Sequence, residues 1–340
     1  MKKTFILLLL KWLGMFWLAK KITTKRPRIL CYHGISVDDE HLFSPGVFMR
    51  SSTFARRMTL VAKWGYQPVS LDELYRQQQT GQYLNDTLVI TIDDGWAAIE
   101  QGILPSLRKH NFKATLYLCT YFVENQRPVF NLAVCYLFWK HRTPFILTEN
   151  SSLTPYTAET QLDIENLLSL SVKLGASYEQ AILQELADCF GEDLSQWQQN
   201  GKLMFLAPEK VTALAAEGLS IELHTHRHRF CKINLANTES ELIHNKQYIA
   251  KLTGKQARHF CFPSGRYRPE QVKLLADMEI KTATTTENSL VNIKKELLTL
   301  PRLVDNDNIS ELEFEAELTG LMTLLRLGTS FLKPDNTLNQ

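Results

Sequence analysis

Five short runs of aliphatic and β-branched residues set the rhythm of the chain, and each gives way to a small cluster of polar or turn-forming positions. Residues 28–32 precede His33 and Gly34, 88–92 precede Asp93, Asp94 and Gly95, and 114–118 precede Cys119 and Thr120. Residues 219–223 lead into His224, His226 and His228, and 259–262 into Pro263, Ser264 and Gly265. Fainter runs follow at 281–286 and 298–304. Segments with helical character lie between them at 52–64, 98–110, 208–217, 238–252 and 269–278. Strands alternating with helices predict a parallel sheet built from βα units. About seven strands fits an irregular (β/α) barrel, an α/β fold in which reactive side chains gather at the C-terminal strand ends. The polar clusters stand at those ends.

Residues 127–205 break this alternation with an aromatic, helix-prone stretch, including 129–139 and 178–190. It reads as a helical insertion over the barrel mouth, serving as a lid or an acceptor-binding subdomain, or as helices packed on the barrel wall. At the N-terminus, Lys2 and Lys3 precede an apolar stretch at 5–19 interrupted only by Lys11, followed by Lys20, Lys21, Lys25, Arg26 and Arg28. That stretch is shorter than the ~20 residues that span a bilayer, and no small-x-small cleavage site follows it. Trp12, Phe16 and Trp17 with basic flanks suit an interfacial helix or short signal anchor, the alternative being a helix packed on the domain surface. We therefore expect a membrane-associating segment at 1–26 and one domain at 27–340. Basic flanks favour the cytoplasmic face over a periplasmic or extracellular site.

At 340 residues and 44% hydrophobic, the chain can bury a full-sized core in one domain. Lys+Arg 38 against Asp+Glu 36 leaves +2, which gives no electrostatic footprint for nucleic acid. Six scattered cysteines without a CxxC read as free thiols, with Cys31, Cys119 and Cys261 as small buried hydrophobes.

The chemistry concentrates in two clusters. Asp93 and Asp94 leave a strand side by side, so that in extended backbone one carboxylate could hold a metal while the other contacts a water. Gly95 allows a sharp exit, although an Asp-Asp-Gly sequence is also an ordinary turn. His224 and His228, four apart, would project from one side of a helical turn, and two histidines plus a carboxylate make a three-ligand site with an open position. Arg227 and Arg229 interleave with them, so a basic phosphate-binding loop is the competing reading. His226 is expected to point elsewhere.

The order Asp93-Asp94, His224 with His228, then Phe262-Pro263-Ser264-Gly265 resembles the polysaccharide deacetylases, the NodB-homology carbohydrate esterases. The opening at 29–35 and the stretch 48–74 resemble the poly-N-acetylglucosamine deacetylase branch. The resemblance covers about 28–305, apart from the insertion. It implies Asp93 as base, Asp94, His224 and His228 as ligands of one divalent ion (zinc, with cobalt, nickel or iron as alternatives), and the backbone N–H of Ser264 as oxyanion donor, with Tyr267 beside it. Substrates would be an N-acetylated glycan or glycolipid.

Two departures stand out. The late histidine of many family members is missing, since none follows His259; the poly-N-acetylglucosamine branch implies His33 as acid instead. The arginine that usually precedes the third motif and holds the base is replaced by Cys261 or a neighbour, leaving Arg302 or Arg266 to supply the charge. These departures keep two other readings open: a non-catalytic carbohydrate-binding or assembly protein on the same fold, and an O-acetyl esterase.

Overall fold

The computed structural model describes residues 2–147, 151–157, 159, 161–292 and 296–331. Parts of the expected insertion (148–150, 158 and 160) and the end of the expected domain (332–340) lie outside the described residues.

The seven apolar runs form seven strands: β1 (Arg28–Tyr32), β2 (Thr87–Ile92), β3 (Thr115–Leu118), β4 (Ser220–Leu223), β5 (His259–Cys261), β6 (Thr282–Thr284) and β7 (Leu303–Val304). They pair in parallel in the order β6-β5-β4-β3-β2-β1-β7. The two-residue strand Gln67–Pro68 adds to the start of β2. A lone parallel bridge between Thr284 and Leu300 brings the segment before β7 against β6, so the sheet curls into an irregular barrel. Helices cover the strands outside while side chains fill the inside, which is why β1 and β2 are buried along their whole length instead of alternating.

Helices α1 (Lys2–Trp12) and α2 (Met15–Thr23) precede the barrel. The expected single N-terminal segment is broken at Gly14, whose φ of 74° lies in the left-handed region. At 11 and 9 residues, the helices measure about 16 and 13 Å. Among the described residues no helix is long and apolar enough to cross a membrane. Leu7, Phe16 and Ala19 pack on Ala316 and Leu321 from the two last helices, Glu311–Leu318 and Leu321–Phe331. Fully buried Arg28 ties this corner together: its Nε donates to the Leu318 carbonyl at 2.9 Å and its Nη1 to those of Thr23 at 3.0 Å and Arg26 at 2.8 Å.

The helix expected at 98–110 is two pieces, Ile99–Gly102 and Leu104–His110. Pro105 lacks an N–H and opens the second piece, while Gly102 lies so close to the Ile35 side chain that a Cβ would collide with it. The interruption after β3 is a helical insertion: α3 (Phe130–His141), α4 (Ile164–Leu174), α5 (Ala176–Phe190) and Leu194–Asn200. Its apolar side, including Val134, Leu137, Leu167, Ile182 and Trp197, runs into the same core as the barrel. Trp96 bridges to Phe205, and the Val129 N–H donates to the Leu203 carbonyl at 3.2 Å, so the insertion is anchored at both ends beside the strand carrying Asp93.

Candidate active site

Four loops at the C-terminal ends of β1, β2, β4 and β5 bring His33, Asp93-Asp94, His224 to His228, and Cys261 together. Their backbones are bent in a way plain strands are not. Asp94, Thr225, His228 and Ser264 have φ values of 75°, 65°, 56° and 56°, and such non-glycine left-handed positions persist where surrounding contacts enforce them. The expectation of extended backbone through Asp94 is therefore corrected: the chain turns there, and this turn separates the two carboxylates. Gly95, at φ 108°, continues it; a Cβ here would run into the Leu118 side chain.

The expectation of a helical turn at 224–228 is also corrected. The segment is an irregular loop with left-handed residues at Thr225 and His228, and His224 and His228 are the two of its histidines that face Asp94. His224 Nε2 and His228 Nε2 lie 3.4 and 3.6 Å from Asp94 Oδ1. His224 Nδ1 sits 2.8 Å from the Cys261 carbonyl oxygen, which can only accept, so Nδ1 carries a proton and Nε2 is the ring nitrogen turned toward Asp94. The Asn245 carboxamide oxygen receives the His224 N–H at 3.0 Å, fixing the loop to helix Leu235–Thr253. The other Asp94 oxygen, Oδ2, accepts the Trp96 indole N–H at 2.9 Å. His226 points away, with Nδ1 3.0 Å from Thr120 Oγ1.

This triad fits a metal ion. Ligands bonded at about 2.0–2.2 Å around a tetrahedral centre stand about 3.4 Å apart, close to the separations here, and both nitrogens and the carboxylate oxygen converge without hydrogen-bonding elsewhere in the ring of donors. Two other clusters also bring potential ligands within 4.8 Å, Cys31 with His33 and Asp93, and Asp93 with His224 and Cys261. They suit an ion less well because both Asp93 oxygens already pair with Arg302, and because burial pushes the Cys31 thiol well up, keeping it neutral.

Asp93 is held by Arg302. Nη1 donates to Oδ1 and Nη2 to Oδ2, both at 2.7 Å, in a bidentate pair with both side chains buried. Arg302 is fixed in turn by the Thr285 carbonyl at 2.9 Å and Thr91 Oγ1 at 3.1 Å. Burial acts to raise the Asp93 carboxyl, but Arg302, aided by His33 and His224, outweighs it and holds the group well below the usual carboxylate range. Asp94 follows the same logic, with His224 and His228 opposing burial. Cys261 Sγ lies 3.1 Å from Arg302 Nη2 and 3.4 Å from Asp93 Oδ2, and Cys31 Sγ lies 3.7 Å from the same oxygen. Cys261, where the resemblance leads one to expect an arginine, is thus adjacent to Arg302.

His33 Nε2 is 3.6 Å from Asp93 Oδ2, with its ring partly open to solvent. Ser264 stands in the turn Pro263–Gly265 directly after β5. Arg266 is exposed, and Arg302, not Arg266, holds Asp93. Tyr267 stacks on Phe262 with ring centroids 4.7 Å apart, outside the cleft wall. That cleft, of about 910 Å³, runs from Asp94 and His228 to the insertion, where Val129, Phe130 and Val172 form its apolar side.

Sequence reasoning did not find the roles of Trp96, Asn245 and Cys31. Asn245 left a signal: it falls between Leu242 and Ile249 at helical spacing, a polar residue on a buried face. The bond from Trp96 depends on the left-handed turn at Asp94, which no periodicity encodes.

Comparison with known proteins bears on the fold and the family. No curated protein matches the sequence. Among solved structures, the Streptococcus pyogenes deacetylase PplD in complex with acetate superposes with a TM-score of 0.59 at 17% identity, covering 86% of this chain and 98% of its own. A de-N-acetylase from Aggregatibacter actinomycetemcomitans gives 0.54 at 12% identity, covering 86% and 99%. IcaB from Ammonifex degensii gives 0.54 at 12%, covering 87% and 97%. At these identities the likeness is one of fold. A family model described as polysaccharide deacetylase matches residues 81–283, more than half the chain, and the chain belongs to the polysaccharide deacetylase family.

Proposed function

We propose that this protein is a metal-dependent hydrolase that removes the N-acetyl group from an amino sugar in a polysaccharide or glycolipid. The observation that carries the reading is the division of labour between adjacent carboxylates: Asp94 Oδ1 faces two histidine nitrogens, while Asp93 is clamped by Arg302 beside them. Asp94, His224 and His228 would hold one divalent ion, zinc first and cobalt, nickel or iron as alternatives. When bound, such an ion acidifies a water and polarises the acetamide carbonyl.

The chain's own groups do the rest. Asp93 takes a proton from the attacking water, and its bidentate pairing fixes its direction. The N–H of Ser264 is our candidate donor to the carbonyl oxygen as negative charge builds there. His33, beside Asp93 and open to solvent on one side, supplies the proton that the amine needs as the carbon–nitrogen bond breaks and acetate departs. The cleft beneath the insertion would receive the sugar, with Trp96, Tyr121 and Phe130 offering ring faces.

The test is metal analysis of the purified protein together with acetate release over a panel of N-acetylated glycans and their O-acetylated counterparts. Stoichiometric metal and N-acetyl turnover that Asp93→Asn abolishes and His33→Ala depresses are expected. Release from O-acetyl substrates alone would replace the reading with an esterase. Full metal loading without turnover on any member would favour the non-catalytic binding protein.

A further inference from the structure

The two N-terminal helices carry a surface that the hydrolytic site does not use. One face of α1 and α2 is spent on packing against Ala316 and Leu321, and ion pairs at Lys3–Glu313 (2.6 Å) and Lys11–Glu315 (2.5 Å) fix the pair to the body of the protein. The opposite face is apolar and open. Trp12 is 82% exposed, Phe5 70% and Trp17 66%, and Leu8, Leu13 and Ile22 are exposed with them. Scattered apolar residues are normal on protein surfaces, but a contiguous set on two successive helices marks an interaction site.

Charge selects the occupant. No Asp or Glu occurs before Asp38, whereas Lys2, Lys3, Lys11, Lys20, Lys21, Lys25, Arg26 and Arg28 all do. Lys3, Lys11 and Lys20 meet Glu313, Glu315 and Asp86 of the body. Lys2 and Lys21 are exposed with no carboxylate partner among the described residues, and the Lys21 ammonium lies 5.8 Å from the Trp17 ring centroid. Tryptophan and lysine together on an open apolar face are the combination that settles at a lipid headgroup boundary. A second copy would meet this basic face with an identical basic face, which opposes an isologous contact. Neither helix is long enough to cross a core of ~30 Å.

We infer that α1 and α2 form a monotopic docking face for an anionic lipid bilayer, held rigidly on the barrel and lying in the interface. The inference goes beyond the hydrolytic reading and stands without it. Anionic lipid is what a cytoplasmic leaflet presents, in keeping with the compartment expected from the sequence.

Flotation of the full-length protein with vesicles of phosphatidylcholine, with and without phosphatidylglycerol, tests it. Binding to the anionic vesicles is expected, accompanied by a blue shift of tryptophan emission and weakened by added salt. The doubly substituted Trp12→Ser, Trp17→Ser protein should bind at least about tenfold more weakly and lose the shift, since interfacial binding scales with the apolar area inserted. Lys2→Gln with Lys21→Gln should lower binding to anionic vesicles but leave the weak binding to phosphatidylcholine alone unchanged. Because these side chains are exposed, circular dichroism and metal content should not change, which separates lost docking from lost folding. Three results would overturn the inference: no vesicle binding by the unmodified protein, equal binding by the tryptophan variant, or a dimer in solution that the tryptophan substitutions dissolve while vesicles have no effect.

Discussion

Replacing Arg302 by methionine tests the site most sharply, because it removes one charge and leaves the rest of the barrel untouched. Arg302 is completely buried and makes five hydrogen bonds: two to Asp93 and one each to Thr91, Thr285 and Cys261. Methionine matches much of the aliphatic volume but leaves Asp93 as a buried carboxylate without a counter-charge. Breaking one side of a buried pair destabilises by about 3–5 kcal/mol. A carboxylate stranded in this way takes up a proton and can no longer accept one. Loss of a positioned general base lowers turnover by about 10²–10⁴-fold, so acetate release should fall by that factor even in whatever fraction remains folded. Arg302→Lys keeps the charge but not the two-pronged geometry, and should fall between the methionine variant and the unmodified protein. Since Cys261 Sγ lies 3.1 Å from Arg302 Nη2, the two positions reach the same point, one from the end of β5 and the other from just before β7. The double variant Cys261→Arg, Arg302→Cys should therefore recover part of what Arg302→Cys alone loses. Urea denaturation and acetate release measure both quantities. Normal turnover in the folded methionine variant would refute the assignment of Arg302 as the group that directs Asp93.

Three further outcomes are expected. Trp96→Phe removes the indole donor that fixes Asp94 Oδ2 and should lower metal affinity about 10–100-fold in a chelator competition, while His226→Ala, which touches Thr120, should leave it unchanged. Gly95→Ala must place a Cβ against Leu118 at a φ of 108°, so the denaturation midpoint should drop, and a midpoint equal to that of the unmodified protein would mean the turn is looser than described. Burial pushes the Asp305 carboxyl up to about 6 in spite of Arg57 and Tyr32, so the folded state holds this proton more tightly than the unfolded chain. Its contribution is complete below about pH 4 and disappears as pH rises through about 6, roughly 3 kcal/mol in all. The stability difference between Asp305→Asn and the unmodified protein should change across that window, and a constant difference would remove Asp305 as its source.

The barrel was legible because its strands are buried on both faces and read as unbroken apolar runs, and all seven appear where those runs lie. The cluster of potential ligands was legible because three of the nine histidines fall within 224–228 and two aspartates stand side by side after an apolar run. Its geometry was not. Extended alternation at Asp93-Asp94 and helical spacing at His224 and His228 both assume regular backbone, whereas the site is built from left-handed residues, whose cost is borne by tertiary contacts such as the hydrogen bond that the His224 N–H donates to the Asn245 carboxamide oxygen. The N-terminal stretch looked like one segment because hydropathy averages over a break. A single glycine in the left-handed region turned it into two helices.

The choice between Arg302 and Arg266 shows what chain order omits. Arg266 is five residues beyond Cys261 and was the nearer candidate in sequence, yet it is exposed. Arg302 is far along the chain, but the last strand returns to the first, pairing Leu30 with Leu303, and the curl of the sheet sets it against β6 through Leu300. A closed or nearly closed barrel gives several strands access to one interior point. In this chain the positive charge at Asp93 comes from Arg302 just before β7, and Cys261 on β5 reaches the same point. His33 is placed in a similar way: residues 81–283 hold both carboxylates and both histidines that face Asp94, whereas His33 and Arg302 lie outside that span, directly after β1 and directly before β7, which pair with each other. If the Cys261→Arg, Arg302→Cys exchange restores turnover, the departure in the third motif is a relocation of function within an intact site and not the first step of its loss.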